Sequence, residues 1–278
     1  MLCKVQDKLG SKNMKIGFIG LGNMGGSLAR VVARQKKHQI ILLANRSSEK
    51  AKQIANEVGG EPVTNEVIFE QADVIFLGVK PNQFADLLQE YHAILEKRSS
   101  VLLISMAAGL TLQQLEAFVP TQHRLIRIMP NTPVAVGAGV ISYTLSDKAT
   151  EQDEHLLCEL LDPAGLLVHL KEQQLDAATA VAGCGPAFVY LFLEALADAG
   201  VQIGLPRDLA LQLANQTLLG SAVLVKESGQ HPAVLKDQVC SPAGSTIAGV
   251  ASLEADAFRG NIIKAVDASY KRTQELGK

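Results

Sequence analysis

Lys15-Ile16-Gly17-Phe18-Ile19-Gly20-Leu21-Gly22-Asn23-Met24-Gly25 passes from a short apolar run directly into three glycines spaced G-x-G-x-x-G. Residues 15–20 read as a buried strand. Residues 23–35 carry apolar side chains at helical spacing, and 39–44 (Gln-Ile-Ile-Leu-Leu-Ala) form a second apolar strand. In that context each glycine has a task. Gly20 permits the tight turn, Gly22 lets the backbone come close to a pyrophosphate, and Gly25 lets helix and strand pack closely. The free N–H groups at the start of the following helix, with Asn23 and Met24 in its first turn, favour an anion. Residues 15–44 therefore read as the opening β-α-β unit of a Rossmann domain for a nicotinamide dinucleotide.

The end of the second strand bears on which dinucleotide. An NAD site usually places an acidic residue there, for the ribose 2′-hydroxyl. This chain has Ala44-Asn45-Arg46-Ser47-Ser48, with no acid. Arg46 and the hydroxyls after it suit a 2′-phosphate, which points to NADPH with NADH still possible. Arg46 as a solvated surface charge and Ser47 as a helix N-cap is the alternative reading of the same residues. Val79-Lys80-Pro81 follows a later strand, at the edge where such ligands lie. There Lys80 either points at the ligand or stays in solvent.

Strands and helices keep alternating to residue 172, with apolar runs at 73–78, 100–105 and 123–129. Continuous apolar strands separated by helices imply a doubly wound parallel sheet covered on both faces. From Glu172 onward only helical periodicity remains. Phe188, Leu191, Phe192, Ala195, Leu196 and Ala199 follow i, i+3, i+4, i+7 spacing on a helix expected to be buried on most sides. The expected organisation is an extension at 1–13, a Rossmann domain at 14–172 and an all-α dimerisation and substrate domain at 173–278. So apolar a helical half suggests burial in a second subunit.

Composition narrows the class. The 278 residues are 47% hydrophobic and 19% charged, with a formal net charge of −2, so no general affinity for nucleic acid or anionic membrane is expected. No apolar run in the sequence reaches spanning length, and 1–13 lacks a secretory core, so a cytoplasmic protein is expected. Cys3, Cys158, Cys184 and Cys240 are scattered. They are expected to be reduced thiols, with no metal site.

Further motifs occur in order: Arg127-Ile-Met-Pro-Asn-Thr-Pro133, Gly183-Cys-Gly-Pro-Ala-Phe188 with Glu194-Ala-Leu-Ala-Asp-Ala-Gly200, and Ser241-Pro-Ala-Gly-Ser-Thr-Ile247. Together with the glycine turn and Val79-Lys80-Pro81, they make the chain resemble the pyrroline-5-carboxylate reductases from Met14 to its C-terminus. The resemblance implies reduction of 1-pyrroline-5-carboxylate to L-proline by NADPH or NADH, in a homodimer or an oligomer of dimers. It also implies an active site between the cofactor of one subunit and helices of the dimer. It assigns Asn65 to the adenosine ribose, the loop 106–109 with Ala107 to the cofactor, and Thr246 to the substrate ring nitrogen.

The loop 241–246 makes physical sense by itself. Ser241, Gly244, Ser245 and Thr246 enter a helix with several N–H groups and hydroxyls exposed, a cradle for a carboxylate. An ordinary Ser/Thr helix cap is the alternative. Family members often carry serine where Cys184 stands, which argues against a catalytic thiol. A hydroxyacid dehydrogenase is the closest rival, but it needs a central-helix lysine, and residues 183–200 contain none. A non-catalytic dinucleotide sensor is the other rival.

Overall fold

The computed structural model describes residues 14–35 and 39–276. The expected extension at 1–13 lies outside the described residues. β1 (Met14–Ile19) and β2 (Gln39–Ala44) run parallel, with α1 (Asn23–Ala33) crossing between them. Then follow α2 (Ser48–Val58), β3 (Glu61–Pro62), α3 (Asn65–Gln71), β4 (Val74–Leu77), α4 (Phe84–Glu90) and α5 (His92–Glu96). Next come β5 (Leu102–Ser105), α6 (Leu112–Glu116), β6 (Arg124–Pro130), β7 (Gly139–Leu145), α7 (Glu151–Leu161) and β8 (Gly165–His169).

The eight strands form one sheet in the order β3-β2-β1-β4-β5-β6-β7-β8. The strand order reverses between β1 and β4, and the crevice outside the carboxyl ends at that point is where open α/β sheets bind ligands. The pairing is parallel from β3 to β6, as expected, but β7 is antiparallel to β6. The connection 131–138 holds only a 3-10 turn, Thr132–Val136, too short for a crossover.

Each face of the sheet carries a core. On one side Phe18 stacks on Phe76 with ring centroids 4.6 Å apart, among Leu28, Val31, Ile54 and Leu157. On the other, Ile19, Leu77 and Leu103 pack against Ile68, Phe84 and Leu115. Adjacent residues of one strand thus enter opposite layers, as the two-residue side-chain period requires. This is why the strands are apolar without alternation.

His123 braces the buried end of this sheet. Its Nδ1 accepts from the Val101 N–H at 3.1 Å, so Nε2 carries the proton toward the Leu95 carbonyl at 3.0 Å. Burial lowers its pKa from 6.5, and the charges of Arg98, Arg124 and His92 act the same way, against the Leu95 carbonyl. The unfolded state then binds more protons than the folded one, so this stabilisation is whole above 6.5 and is lost as pH falls. Thermal melts should show wild-type Tm falling more steeply than that of His123→Gln between about pH 6.5 and about pH 5. Equal slopes would reject the role.

The remaining elements are helical: α8 (Glu172–Ala178), α9 (Gly185–Gln202), α10 (Arg207–Ser228), α11 (Pro232–Gln238), α12 (Ser245–Ala255) and α13 (Phe258–Leu276). By contacts the chain forms two compact units, one holding the sheet to Cys184 together with the last turns from Ser269, the other Gly185–Ala268. Strands end before 172, but α8 stays with the sheet, tied to it by Arg127, and Asn131 holds the π turn Thr179–Gly183 that follows it.

Within the helical unit only Ala197, Ala210 and Ala214 are buried, between α9 and α10. Tyr190 is 56% exposed and Leu191 67%. The expectation that α9 is buried on most sides fails for the single chain, because α10 covers only its alanine-lined side. The continuous helical run Glu172–Gln202 is also long and apolar enough to cross a membrane by length and composition, contrary to the sequence reading. The Gly183-Cys-Gly-Pro segment reads as a break: the π turn Thr179–Gly183 ends there, and Cys184 is a bend before α9 begins at Gly185. Cys184 and Cys240 are free thiols, as expected, whereas Cys158 is disulfide-bonded and corrects that expectation.

Candidate active site

A cavity of about 800 Å³ opens at the carboxyl ends of β1, β2 and β4. Gly20, Gly22, Asn45, Arg46 and Ser47 line it, as do Asn65, Val79 and Lys80. Residues from four separate stretches of sequence are therefore brought to one place. Asn23 lines a smaller adjoining cavity of about 310 Å³, which it shares with Gly22, Ser27 and Lys50.

The turn itself is built by close backbone approach. Gly20 has φ +89°, which disfavours a side chain, and a Cβ on Gly25 would collide with the Gly20 carbonyl oxygen. Nothing lies within 4 Å of a Cβ built on Gly22, so space is left open where a pyrophosphate would pass. Asn45 braces this turn: its Oδ1 accepts from the Leu21 N–H at 2.9 Å and its Nδ2 donates to the Ser47 carbonyl at 3.3 Å. Ser47 caps α2, accepting from the Lys50 N–H at 3.4 Å, so the capping alternative is realised in the same residue that faces the cavity. Arg46 and Lys80 form no ion pair among the described residues, which leaves both cations for an anionic ligand.

Four assigned residues, Met24, Gly25, Pro81 and Ala107, do not line either cavity. Met24 packs against the core beside Phe18 and Leu28, because the first turn of α1 turns its side chain inward. Pro81 opens the 3-10 turn Pro81–Gln83. Ala107 is buried in the opposite core layer, and its N–H is 3.3 Å from Ser105 Oγ. Conversely, Gln83, Asp86 and Glu90 line the main cavity and were missed. The helical spacing after Pro81 was the available signal, but it does not say which face meets a ligand.

In the helical unit, residues 241–244 form a turn closed by the Gly244 N–H to the Ser241 carbonyl at 3.0 Å. Ala243 takes φ +55°, a left-handed conformation that costs a non-glycine residue of order 1 kcal/mol. Gly244 is the N-cap of α12, and no side chain caps the helix, so the Ser/Thr-cap alternative is not realised. The Ser241, Ser245 and Thr246 side chains are exposed and the first-turn N–H groups of α12 are open. No cluster of three metal-ligating side chains exists among the described residues.

A dinucleotide fits this sheet edge, on the glycine approach that a Cβ would block and on the unpaired cations Arg46 after β2 and Lys80 after β4. The fold and cavity define a nicotinamide-dinucleotide oxidoreductase, and residues 15–109 match the family described as NADP oxidoreductase coenzyme F420-dependent. Residues 172–276 match the family described as pyrroline-5-carboxylate reductase dimerisation. Pyrroline-5-carboxylate reductase of Arabidopsis thaliana is 40% identical over 271 residues, 96% of this chain and 97% of that protein. Human pyrroline-5-carboxylate reductase 2 is 39% identical, over 95% of this chain and 84% of that protein. The crystal structure of Plasmodium falciparum pyrroline carboxylate reductase with NADP bound aligns with TM-score 0.87 and 34% identity, over 97% of this chain and all of that one. The chain belongs to the pyrroline-5-carboxylate reductase family.

Proposed function

We infer that the protein reduces 1-pyrroline-5-carboxylate to L-proline with NADPH, the closing step of proline biosynthesis. The observation that carries this reading is full-length similarity to the family, joined to a dinucleotide cavity at the sheet's switch point. Bound NADPH supplies a hydride to the imine carbon, and the imine nitrogen ends protonated. An imine carbon attached to protonated nitrogen is already electrophilic, so the chain's task is chiefly to hold and align. The open N–H groups and hydroxyls of 241–246 suit the substrate carboxylate. Thr246 Oγ1 suits the ring nitrogen. Gly20, Gly22 and Gly25 keep the backbone clear for the pyrophosphate, and Lys80 offers a charge beside it. Following NADPH absorbance with added 1-pyrroline-5-carboxylate tests the activity. No turnover with this imine, alongside intact NADPH binding, would favour the sensor reading.

Arg46 is assigned to the 2′-phosphate. Charge-assisted hydrogen bonds are worth about 1.5–3 kcal/mol, so Arg46→Ala should lower kcat/KM for NADPH about 10- to 100-fold. The value for NADH should change by less than about threefold. A parallel loss with both cofactors would reject the assignment.

The exposed apolar face of α9 and α10 supports a homodimer, alone or within a larger ring of dimers, because a face of this extent on one chain calls for cover. Light scattering coupled to gel filtration tests it, and a monomer at assay concentration would overturn it. A cytoplasmic location rests on the composition and is checked by cell fractionation.

A further inference from the structure

The helical run from α8 into α9 is irregular at one place. Thr179–Gly183 winds as a π turn, in which the Cys184 N–H donates to the Thr179 carbonyl five residues back, at 2.9 Å. Such a turn inserts a residue, weakens the helix and leaves nearby carbonyls short of intrahelical partners. The Ala182 carbonyl, whose partner four residues on would be Pro186 without an N–H, accepts from Asn131 Nδ2 at 3.0 Å. The Oδ1 of the same side chain accepts from the Val140 N–H at 2.8 Å. Asn131 is buried, with both ends of its amide engaged.

Its position on the sheet matters. Asn131 follows the last residue of β6, at the carboxyl edge, four residues beyond Arg127, which pairs with Ser105 at the end of β5. The residues suited to the adenosine half lie at the end of β2, and the glycine turn lies at the end of β1. A dinucleotide crossing the switch point therefore has its nicotinamide half toward β4, β5 and β6. The π turn is anchored at that end, in the same compact unit as the sheet.

A second tie holds the segment. The buried Arg127, four residues earlier on β6, places Nη1 3.5 Å from Glu172 Oε1 and Nη2 3.5 Å from Asp176 Oδ1. Glu172 Oε1 also accepts from the Leu112 N–H at 2.5 Å, which links α8 to the start of α6.

We propose that Asn131 is a positioning residue for hydride transfer, which holds the π turn as a wall of the nicotinamide-ring site through the Ala182 carbonyl. The proposal rests on the assignment of the cavity to NADPH. In a regular α turn the donor for that carbonyl would be residue 186, which is Pro186 and has no N–H, so Asn131 Nδ2 supplies a donor the helix cannot. The strained turn and its tether thus make sense together.

Asn131→Asp tests this, since it keeps the side-chain shape and the acceptor for Val140 but loses the donor to Ala182. The readout is the single-turnover rate of NADPH oxidation per bound NADPH, with protium and with deuterium at C4. The expected result is a rate at least about tenfold lower that retains a primary isotope effect, with the NADPH Kd within about twofold of wild type. A purely structural role would lower the amount of cofactor bound but not the rate per bound cofactor, and that outcome overturns the proposal. So does a rate within about threefold of wild type. If the aspartate variant does not fold, Asn131→Ser, which keeps a shorter donor, is read against the same outcomes. The cofactor-site assignment fails separately: Gly22→Ala would then leave NADPH affinity unchanged.

Discussion

Replacing Thr246 with alanine is expected to lower kcat about 10- to 100-fold, from the loss of a hydrogen bond to a charged ring nitrogen worth about 1.5–3 kcal/mol. Its side chain is exposed in the first turn of α12, so removing the hydroxyl creates no cavity and breaks no internal bond. Tm should therefore stay within about 2 °C of wild type. The NADPH Kd should stay within about twofold, because the glycine turn and Arg46 belong to the other compact unit. Thr246→Ser restores the hydroxyl and should recover most of the rate. Steady-state kinetics with fluorescence titration of NADPH separates these quantities. Turnover by the alanine variant within about threefold of wild type would remove Thr246 from the reaction.

The second large effect contrasts two glycines three residues apart. Gly25→Ala drives a methyl into the Gly20 carbonyl, with backbone on both sides and no flexible side chain to yield. The turn must open, at a cost of about 1–3 kcal/mol or more, and NADPH affinity should fall at least about 100-fold together with Tm. Gly22→Ala meets nothing within 4 Å and has φ −63°, which alanine tolerates. Its Tm without cofactor should match wild type. Yet the methyl enters the space reserved for the pyrophosphate, so affinity should fall about 10- to 100-fold. Saturating NADPH at about 100 times Kd adds about 2.7 kcal/mol to the stability of a binding protein. Melts with and without NADPH should show this added stability in the wild type and only about 0.4–1.4 kcal/mol of it in Gly22→Ala at the same concentration. A full shift in that variant would displace the pyrophosphate from the glycine turn.

Much of the sheet was legible because its strands are buried on both faces and read as apolar runs, whatever their neighbours. β3 and α3 were not. β3 has two residues, and neither element carries enough periodicity to announce itself. The direction of β7 was not legible, since it looks like any apolar strand and only the short connection 131–138 makes it antiparallel to β6. Among the assigned cofactor residues, the sequence identified the turn but not the direction of each side chain. Met24 and Ala107 turn into the two cores, while Asp86 and Glu90 on α4 turn toward the cavity.

From residues alone came the nucleotide turn, the absence of an acid after β2, and the substrate loop whose pattern marks the family. These are local: a G-x-G-x-x-G between strand and helix has few other conformations, and the charge beside it is written in the chain. The tertiary structure alone decided how distant parts share their bonds. Asn45, expected at the cofactor, also braces the glycine turn, and Asn131 reaches 51 positions along the chain to Ala182. A buried amide must find partners wherever the fold brings them, and no spacing in the sequence encodes that meeting.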